Sequence, residues 1–459
     1  MKKVFKYFAL ILVLISISVL VSGCSSKTVI TPEEKTLVIW AFDDEDVWKP
    51  IIKDLKKELS NYEVKYVKKE LNSSYENDAL NSILSGDGPD VWAIPNDWVY
   101  RHKDKLSAMP EKMASTINMD ERFVPIVKQD VYFDGNIYAL TPAVNTLEIY
   151  YNNDILEDAY DEFKTSHTGT SNRDAVNRAK ELLDQVPLTW GDFVETSKLM
   201  TQKSGDTILR SGVALGTTST VSNSVDILYA LMLQNGTKMT TDNLDTATFN
   251  LPQTTVTDTN DNPARRALEF YSSFSSPASE NYSWNDSMGS DIEAFANGNV
   301  AMIFGFQSLT NYFAQKYPNL KYKKAALPQI SGTNENIIDY GQFTAFTVPA
   351  LSTKAEAAWT IVDYLSRDYA SSYSSTANIS SSEKKSGFIP ELAEREGSNP
   401  EKYQTQMAVN WNKGRYPNSI DAIFRNTIIN NAVNKTQSSQ EALDSGAAAV
   451  TEILRQNDW

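Results

Sequence analysis

Residues 78–98, which read DALNSILSGDGPDVWAIPNDW, decide the fold that this sequence predicts. In the first half, Ala79, Leu80, Ile83 and Leu84 recur at three- and four-residue spacing, which places four apolar side chains on one face of a helix. The second half has no such spacing and holds two glycines and two prolines. The stretch therefore predicts a helix followed by a different element.

A tight turn and a short apolar run make up that second element. Gly86 and Gly88 are expected to end the helix, because glycine adopts positive φ angles that other residues avoid, and Pro89 prevents the helix from resuming. Residues 90–94 are typical of a strand buried on both faces. The following Asn-Asp pair can cap another helix. Since ligands bind at the carboxyl ends of strands in open α/β sheets, we expect a binding loop there.

The residues before this stretch predict a parallel sheet. Residues 37–42 (LVIWAF) read as a buried strand, residues 47–59 as an amphipathic helix, and residues 64–68 as a second strand. With the stretch at 78–98 they form a βαβαβ start, which indicates a mostly parallel α/β sheet with right-handed crossovers.

The composition excludes several classes of function. A chain of 459 residues suits two lobes, and its net charge of −15 disfavours nucleic-acid binding, because phosphate contacts need a basic surface. One cysteine allows no internal disulfide, and two histidines cannot build a histidine-rich metal site. We therefore expect no metal and no cofactor, and the acidity favours solubility.

The amino terminus resembles a bacterial lipoprotein signal. Lys2 and Lys3 form a basic region, residues 4–21 are mostly apolar, and Val-Ser-Gly precedes Cys24. The resemblance implies cleavage before Cys24 and acylation of its thiol, so that residues 1–23 are a signal peptide and residues 24–35 a tether. An uncleaved membrane anchor is the alternative, which the small residues before Cys24 disfavour.

Four further motifs, in the same order, resemble one family. Together with SGDGPDV at 85–91, the chain resembles the family 1 extracellular solute-binding proteins, the maltose-binding-like receptors of ABC importers, over roughly residues 35–400. The motifs are FDGNIYALTPAVNTLEIYYNNDIL at 133–156, PLTW at 187–190, FANGNVAM at 295–302, and the helix at 354–365 with GFIP at 387–390.

The resemblance implies an α/β fold of two lobes joined by a hinge, of the type II periplasmic-binding-protein kind. Residues 36–145, with parts of about 305–345, are expected in the first lobe. Residues 146–304, with a helical part at about 346–459, are expected in the second. The chain would cross near Asn145, Gly305 and Gln342. The implied protein is an extracytoplasmic, lipid-anchored monomer that binds a small solute, most simply a carbohydrate, and docks on importer permease subunits.

Five candidate ligand-binding residues come from the first lobe and the crossing. Asp43 and Asp44 follow the first strand, and they can either bind sugar hydroxyls or cap the next helix. Asp97 and Trp98 follow the strand of the opening stretch, with capping and packing as their alternatives. Asn145 lies where a member of the family has an acid that contacts sugar, so this amide keeps hydrogen bonding without the charge.

Five more candidates come from later loops. Trp284, in NYSWNDS, and Trp411, in NWNKGRYP, are tryptophans in polar loops and could stack on a sugar ring. Gln307 lies near the place where relatives have an aromatic residue. Tyr340 and Gln342 flank the return crossing.

Two other classes of function remain open at this point. Asp43, Asp44 and Asp97 could supply the two acids of a glycosidase. The sequence has no G-x-S-x-G, H-E-x-x-H or P-loop motif, and we expect neither catalytic residues nor enzyme activity. The other alternative is a lipid-anchored adhesin or sensory protein that is not coupled to transport.

Overall fold

The computed structural model describes residues 35–184, 187–253, 261–331, 337–385 and 404–456. The predicted signal and nearly all of the tether, and the GFIP motif, lie outside the described residues. The strands are β1 Thr36–Ala41, β2 Glu63–Lys68, β3 Val91–Pro95, β4 Tyr132–Phe133, β5 Asn136–Ile137, β6 Ala139–Leu140, β7 Ala143–Asn152, β8 Gln202–Ser204, β9 Thr207–Val213, β10 Val300–Phe306, β11 Tyr322–Ala325, β12 Asp339–Gln342, β13 Thr344–Thr347, β14 Ser380–Ser381 and β15 Ala408–Val409. Two large sheets, a two-stranded sheet of β4 and β5, and the surrounding helices form the described part.

Helices cover both sheets. The longer helices are Glu45–Glu58, Tyr75–Ser85, Pro125–Val131, Asn153–Ser166, Arg173–Asp184, Trp190–Met200, Ser224–Gln234, Pro263–Ser273, Leu309–Lys316, Ala355–Arg367, Ala370–Ala377, Pro417–Ile423 and Ser439–Leu454. The shorter ones are Val99–His102, Glu111–Ala114, Met119–Arg122, Asp291–Ala296, Gln404–Met407 and Asn430–Val433. Within the described ranges, no helix is both long enough and apolar enough to cross a membrane.

The first lobe is built on a five-stranded sheet in the order β2-β1-β3-β13-β6. Strand β1 pairs in parallel with β2 and β3, as the βαβαβ start predicts, and β13 returns antiparallel to β3. The buried carboxylate of Asp90 fixes this arrangement. It accepts a 2.9 Å hydrogen bond from the Val38 amide and one of 2.8 Å from the Ser352 hydroxyl, and it lies 2.9 Å from the Lys354 ammonium.

The two glycines of the opening stretch act differently. Gly86 has φ 87° and caps the helix in the left-handed conformation, as predicted. Gly88 does not have a positive φ, so that part of the prediction is wrong. A Cβ at Gly88 would lie 2.7 Å from the Ile83 Cα, so this glycine is needed because the chain passes close to the preceding helix.

The second lobe is built around β7. This sheet has the order β15-β12-β7-β10-β9-β8, with β11 and β14 also paired to β7. Because β6 ends at Leu140 in the first sheet and β7 begins at Ala143, the chain crosses between the lobes just before Asn145. The chain returns to the first lobe at Phe343, which lies between β12 of the second sheet and β13 of the first.

The later segments differ from the expected division. Gly305 is not a crossing, because it lies inside β10 and pairs with Glu148 of β7. Parts of about 305–345 are expected in the first lobe, and of these residues Phe343 and Ala345 pack in the first core, whereas β11 and β12 belong to the second sheet. Conversely, β13 and helix Ala355–Arg367 belong to the first lobe rather than the second, since Trp359 is buried in the first core. Strand pairing decides which lobe each of these segments joins, and the order of the segments along the chain does not reveal that pairing.

Candidate functional site

A groove lies between the two lobes. It consists of two adjoining cavities of about 150 and 390 Å³, which share the lining residues Leu71, Pro95, Asn96 and Gln342. The first lobe contributes loops that follow β1, β2 and β3, and the second lobe contributes Tyr340 and the residues around 411–421. The loops that the first lobe contributes to the groove therefore follow the carboxyl ends of parallel strands, where ligands bind in open α/β sheets.

A hydrogen-bonded carboxylate supports the groove wall. Asp130 accepts hydrogen bonds of 2.7 Å from the Asn96 amide and 2.6 Å from the Asn410 amide. Asn96 in turn is held by the backbone of Phe343, whose amide donates to the Asn96 Oδ1 at 2.9 Å. Burial raises the pKa of Asp130 to about 6, despite these hydrogen bonds and a third of 3.3 Å from the Gln129 amide. This network fixes Asn96 and Asn410, which both line the groove.

Three carboxyl groups and one ammonium group line the larger cavity. Lys413, only 7% exposed, lies 2.8 Å from Asp97 and 2.9 Å from Asp421. Its burial alone would lower the pKa of the ammonium, but these two carboxylates raise it well above the usual range. Asp226 is half-buried, and burial followed by the nearby Asp421 charge raises its pKa to about 7. Among the described residues, no side chain or backbone group donates a hydrogen bond to the Asp226 carboxyl group.

Aromatic rings line the same cavity. Trp411 packs against Tyr229 at a centroid distance of 5.4 Å and against Phe424 at 6.0 Å, which fixes its indole. The Trp411 Nε1 has no hydrogen-bond partner within the part of the chain that is described. Trp98 and Tyr340 are 6% and 4% exposed, so each presents only an edge to the groove. Rigid aromatic edges beside carboxylates and amides are the chemistry that binds a polyhydroxylated ring.

Six of the ten residues predicted from the sequence line this groove. They are Asp97, Trp98, Asn145, Tyr340, Gln342 and Trp411. The side-chain amide of Asn145 forms two hydrogen bonds with Ser308. It donates to the Ser308 hydroxyl at 2.9 Å and accepts from the Ser308 backbone amide at 3.2 Å.

Asp43 and Asp44 do not line the groove. Asp43 accepts a 2.8 Å hydrogen bond from the Tyr373 hydroxyl, and it is Tyr373 that lines the smaller cavity. Burial raises the pKa of Asp43. Asp44 is exposed and forms a 2.5 Å ion pair with Lys68. Asp43 therefore supports a lining residue, and Asp44 pairs on the surface.

Trp284 and Gln307 are buried away from the groove. Trp284 has no exposed surface and its Nε1 donates to the Thr220 hydroxyl at 2.9 Å, so it cannot stack on a ligand. Gln307 is also fully buried, with its amide donating to Glu148 at 2.9 Å and to Ser380 at 3.0 Å. Both residues complete the interior of the second lobe.

Several residues that line the groove were not predicted from the sequence. Lys413 lies two residues after Trp411, and Asp226 is an isolated charge in the apolar helix Ser224–Gln234. An acid in such a helix was the available signal for Asp226. Asp421 carries no comparable signal. The described residues hold no group of three or more potential metal ligands close enough to bind a metal ion.

Comparison with known proteins places the chain in a family. Residues 51–378, more than half of the chain, match the bacterial extracellular solute-binding protein family. The chain belongs to this family, whose members are extracytoplasmic. It is also 27% identical over 92 residues to the maltotriose-binding protein of Pyrococcus abyssi (strain GE5 / Orsay). That alignment covers 19% of this chain and spans about a fifth (20%) of the length of this curated relative.

Solved structures share the fold over most of the chain. The sugar-binding protein MalE from the phytopathogen Xanthomonas citri has a TM-score of 0.67 at 19% identity, covering 91% of this chain and 97% of its own. The cyclic α-maltosyl-1,6-maltose binding protein from Arthrobacter globiformis has a TM-score of 0.69 at 15% identity, covering 92% and 99%. The fold is thus the two-lobe, maltose-binding-like α/β fold expected from the sequence.

Proposed function

We propose that this chain is the receptor of an ABC importer and that it binds a mono- or oligosaccharide in the groove between the lobes. The observation that carries the proposal is the lining of the larger cavity. It combines tryptophan and tyrosine edges with carboxylates, amides and one ammonium group. Its volume of about 390 Å³ falls within the range of roughly 300–1,000 Å³ typical of small-molecule sites.

The lining suits a sugar because it offers both kinds of contact that a sugar needs. The exposed edges of Trp98 and Trp411, each 6% exposed, can contact the apolar C–H face, while Asp97, Asp226 and Gln342 can accept or donate hydrogen bonds at the hydroxyl rim. The relatives named above are described as binding maltotriose and a cyclic maltosyl-maltose, which supports the same ligand class.

Closure of the lobes would convert binding into a signal. A ligand that contacts both lobes binds the closed form better than the open form, so it shifts the population towards closure. The closed form would then dock on the permease subunits of the importer. This role requires no covalent chemistry.

The proposed receptor is held at the membrane by lipid on Cys24. The basic, apolar and small-residue sequence before Cys24 supports this anchor, and each buried methylene of an acyl chain contributes about 0.8 kcal/mol. Labelling cells with a radioactive or clickable fatty acid should mark the wild-type chain and leave a Cys24→Ala variant unmarked. Equal labelling of both chains would refute the anchor.

A thermal-shift screen tests the receptor role. Any ligand that binds only the folded chain raises its free energy of unfolding by about 2.7 kcal/mol at a hundredfold excess over Kd. We expect a shift from one class of oligosaccharide in a panel of maltosyl, mannosyl and cellulosyl sugars. No shift with any mono-, di- or oligosaccharide would refute sugar binding and favour the adhesin or sensory alternative.

A further inference from the structure

Residues 410–416 form a segment that we call the strap, and the side chains of Trp411 and Lys413 within it contact the second lobe. Trp411 packs in the second core against Tyr229. Lys413 forms an ion pair with Asp421, whose Oδ1 also accepts a 2.8 Å hydrogen bond from the Tyr229 hydroxyl. The preceding strand β15 pairs with β12 of the second sheet. The strap is therefore anchored in the second lobe.

The same segment contacts the first lobe at several points. Lys413 lies 2.8 Å from Asp97, which follows β3. Farther along, Arg415 forms a 2.9 Å ion pair with Asp104, and the Arg415 carbonyl accepts a 3.0 Å hydrogen bond from Arg101. At the other end, Asn410 donates to Asp130 at 2.6 Å. One short segment thus joins the lobes along the edge of the groove.

Lys413 is the central contact because it is shared between the lobes. Its single ammonium group neutralises one carboxylate from each lobe, and it is 7% exposed, so salt screens it little. The Arg415–Asp104 pair is more exposed, at 32% and 59% of the side chains, and contributes less. Without Lys413, the carboxylates of Asp97 and Asp421 would repel each other across the groove, with Asp226 close by.

We propose that Lys413 is a positioning residue that holds the two lobes together before solute arrives and so sets the apparent affinity of the groove. The affinity part rests on the proposed solute-binding function, whereas the part about the lobes does not. If the binding-competent fraction of the ligand-free protein falls tenfold, the apparent Kd rises tenfold. Charge on Lys413, rather than a direct ligand contact, is then a determinant of affinity.

The first test measures the ligand-free protein. Leu351 in the first lobe and Leu209 in the second are 61% and 62% exposed and lie outside the groove lining. Each can be replaced by a spin-labelled cysteine in the full chain with Cys24→Ala, which removes the native thiol. Double electron–electron resonance then reports the distance between the lobes. We expect Lys413→Met to lengthen and broaden this distance, and Lys413→Arg to restore it. An unchanged distance distribution in Lys413→Met would overturn the proposal.

Two further variants separate this effect from loss of folding. Asp97→Asn removes the contact to the first lobe while Lys413 keeps Asp421 as a partner, so it should also lengthen the distance. Lys198→Met breaks a 3.3 Å ion pair with Glu280 inside the second lobe and should leave the distance unchanged. If Lys198→Met lengthens the distance as much as Lys413→Met, the effect is non-specific and the proposal fails.

Measurements with bound saccharide distinguish the proposed solute-binding function from the proposed role of Lys413 in joining the lobes. With the saccharide from the thermal-shift screen, wild type and Lys413→Met should reach the same distance, with Kd about tenfold higher for the variant. Equal Kd values for the two chains would refute the affinity part. If no saccharide binds either chain, the proposed function fails, while the ligand-free distances still decide whether Lys413 joins the lobes.

Discussion

Gln342 lies opposite Asn145 in the antiparallel pairing of β12 and β7. The outward and return crossings between the lobes therefore run side by side as one hydrogen-bonded ribbon. Both residues line the smaller cavity, so the floor of the groove is also the connection between the lobes. Motion of the lobes must accordingly bend this ribbon.

Asn145 anchors the ribbon through Ser308, and this anchor can be tested. Asn145→Ala removes two hydrogen bonds, so we expect the free energy of unfolding in urea to fall by about 1–2 kcal/mol. Ser308→Ala should cost less, because its backbone amide still donates to Asn145. If Asn145→Ala keeps wild-type stability but loses ligand affinity, Asn145 is a ligand contact and not an anchor.

Trp411 should contribute to affinity through the ring edge that lines the groove. We expect Trp411→Ala to raise Kd by at least about tenfold, which corresponds to 1.4 kcal/mol. The Kd of Trp411→Phe should fall between the Kd values of Trp411→Ala and wild type, because phenylalanine keeps a smaller aromatic ring at this position. Isothermal titration calorimetry measures both. Unchanged Kd in Trp411→Ala would remove this residue from the site.

Trp284 should act on stability alone. Because it is fully buried and hydrogen-bonded to Thr220, Trp284→Ala should lower the free energy of unfolding by about 3–5 kcal/mol. The fraction that remains folded should bind with wild-type Kd. A loss of affinity without loss of stability would contradict its position in the core.

Asp226 should make stability depend on pH. Its pKa is about 7 in the folded chain, against an ordinary value near 4, so the folded chain holds a proton that the unfolded chain releases between those values. The free energy of unfolding therefore falls as pH rises from about 4 to about 7, by at most about 1.4 kcal/mol per pH unit. Asp130 adds to this fall up to about pH 6.

Asp226→Asn isolates its share of that dependence. The variant removes one titrating group beside Lys413, Asp97, Asp421 and Arg425, so its stability relative to wild type should grow as pH rises from 4 to 7. Urea denaturation at several pH values measures the difference. A difference that does not change with pH would show that Asp226 titrates normally.

The two glycines of the opening stretch should respond differently to alanine. Gly86→Ala places a side chain in the left-handed conformation, which costs roughly 1–2 kcal/mol. Gly88→Ala drives a methyl group into the Ile83 backbone, so the chain itself must move and the loss should be larger. Equal losses, measured by thermal unfolding, would contradict this distinction.

Much of the fold could be predicted because its signals are local. Apolar spacing in residues 78–98 and the βαβαβ start predict the first sheet. The motif at 133–156 predicts the crossing near Asn145. The later division of the lobes could not be predicted, because β13 pairs with β3 across a long separation in the sequence. Nothing near β13 indicates which sheet it joins.

The predicted residues that line the groove lie either in loops that follow strands or in the strands that cross between the lobes. Asp97 and Trp98 follow β3, and they line the groove. The prediction that Trp284 binds ligand is wrong because its polar sequence neighbours suggest exposure, whereas its indole is buried and donates to Thr220. Lys413 was missed because its role depends on carboxylates from both lobes, which the sequence does not bring together.

The most direct test of the central claim is a crystal structure of the chain with the saccharide that gives the largest thermal shift. We predict the sugar between the lobes, with ring carbons within about 4 Å of Trp98 or Trp411 and a hydroxyl bonded to Asp97 or Asp226. A sugar bound elsewhere, such as the open groove beside Asn152 and Lys321 on the second lobe, would contradict the account.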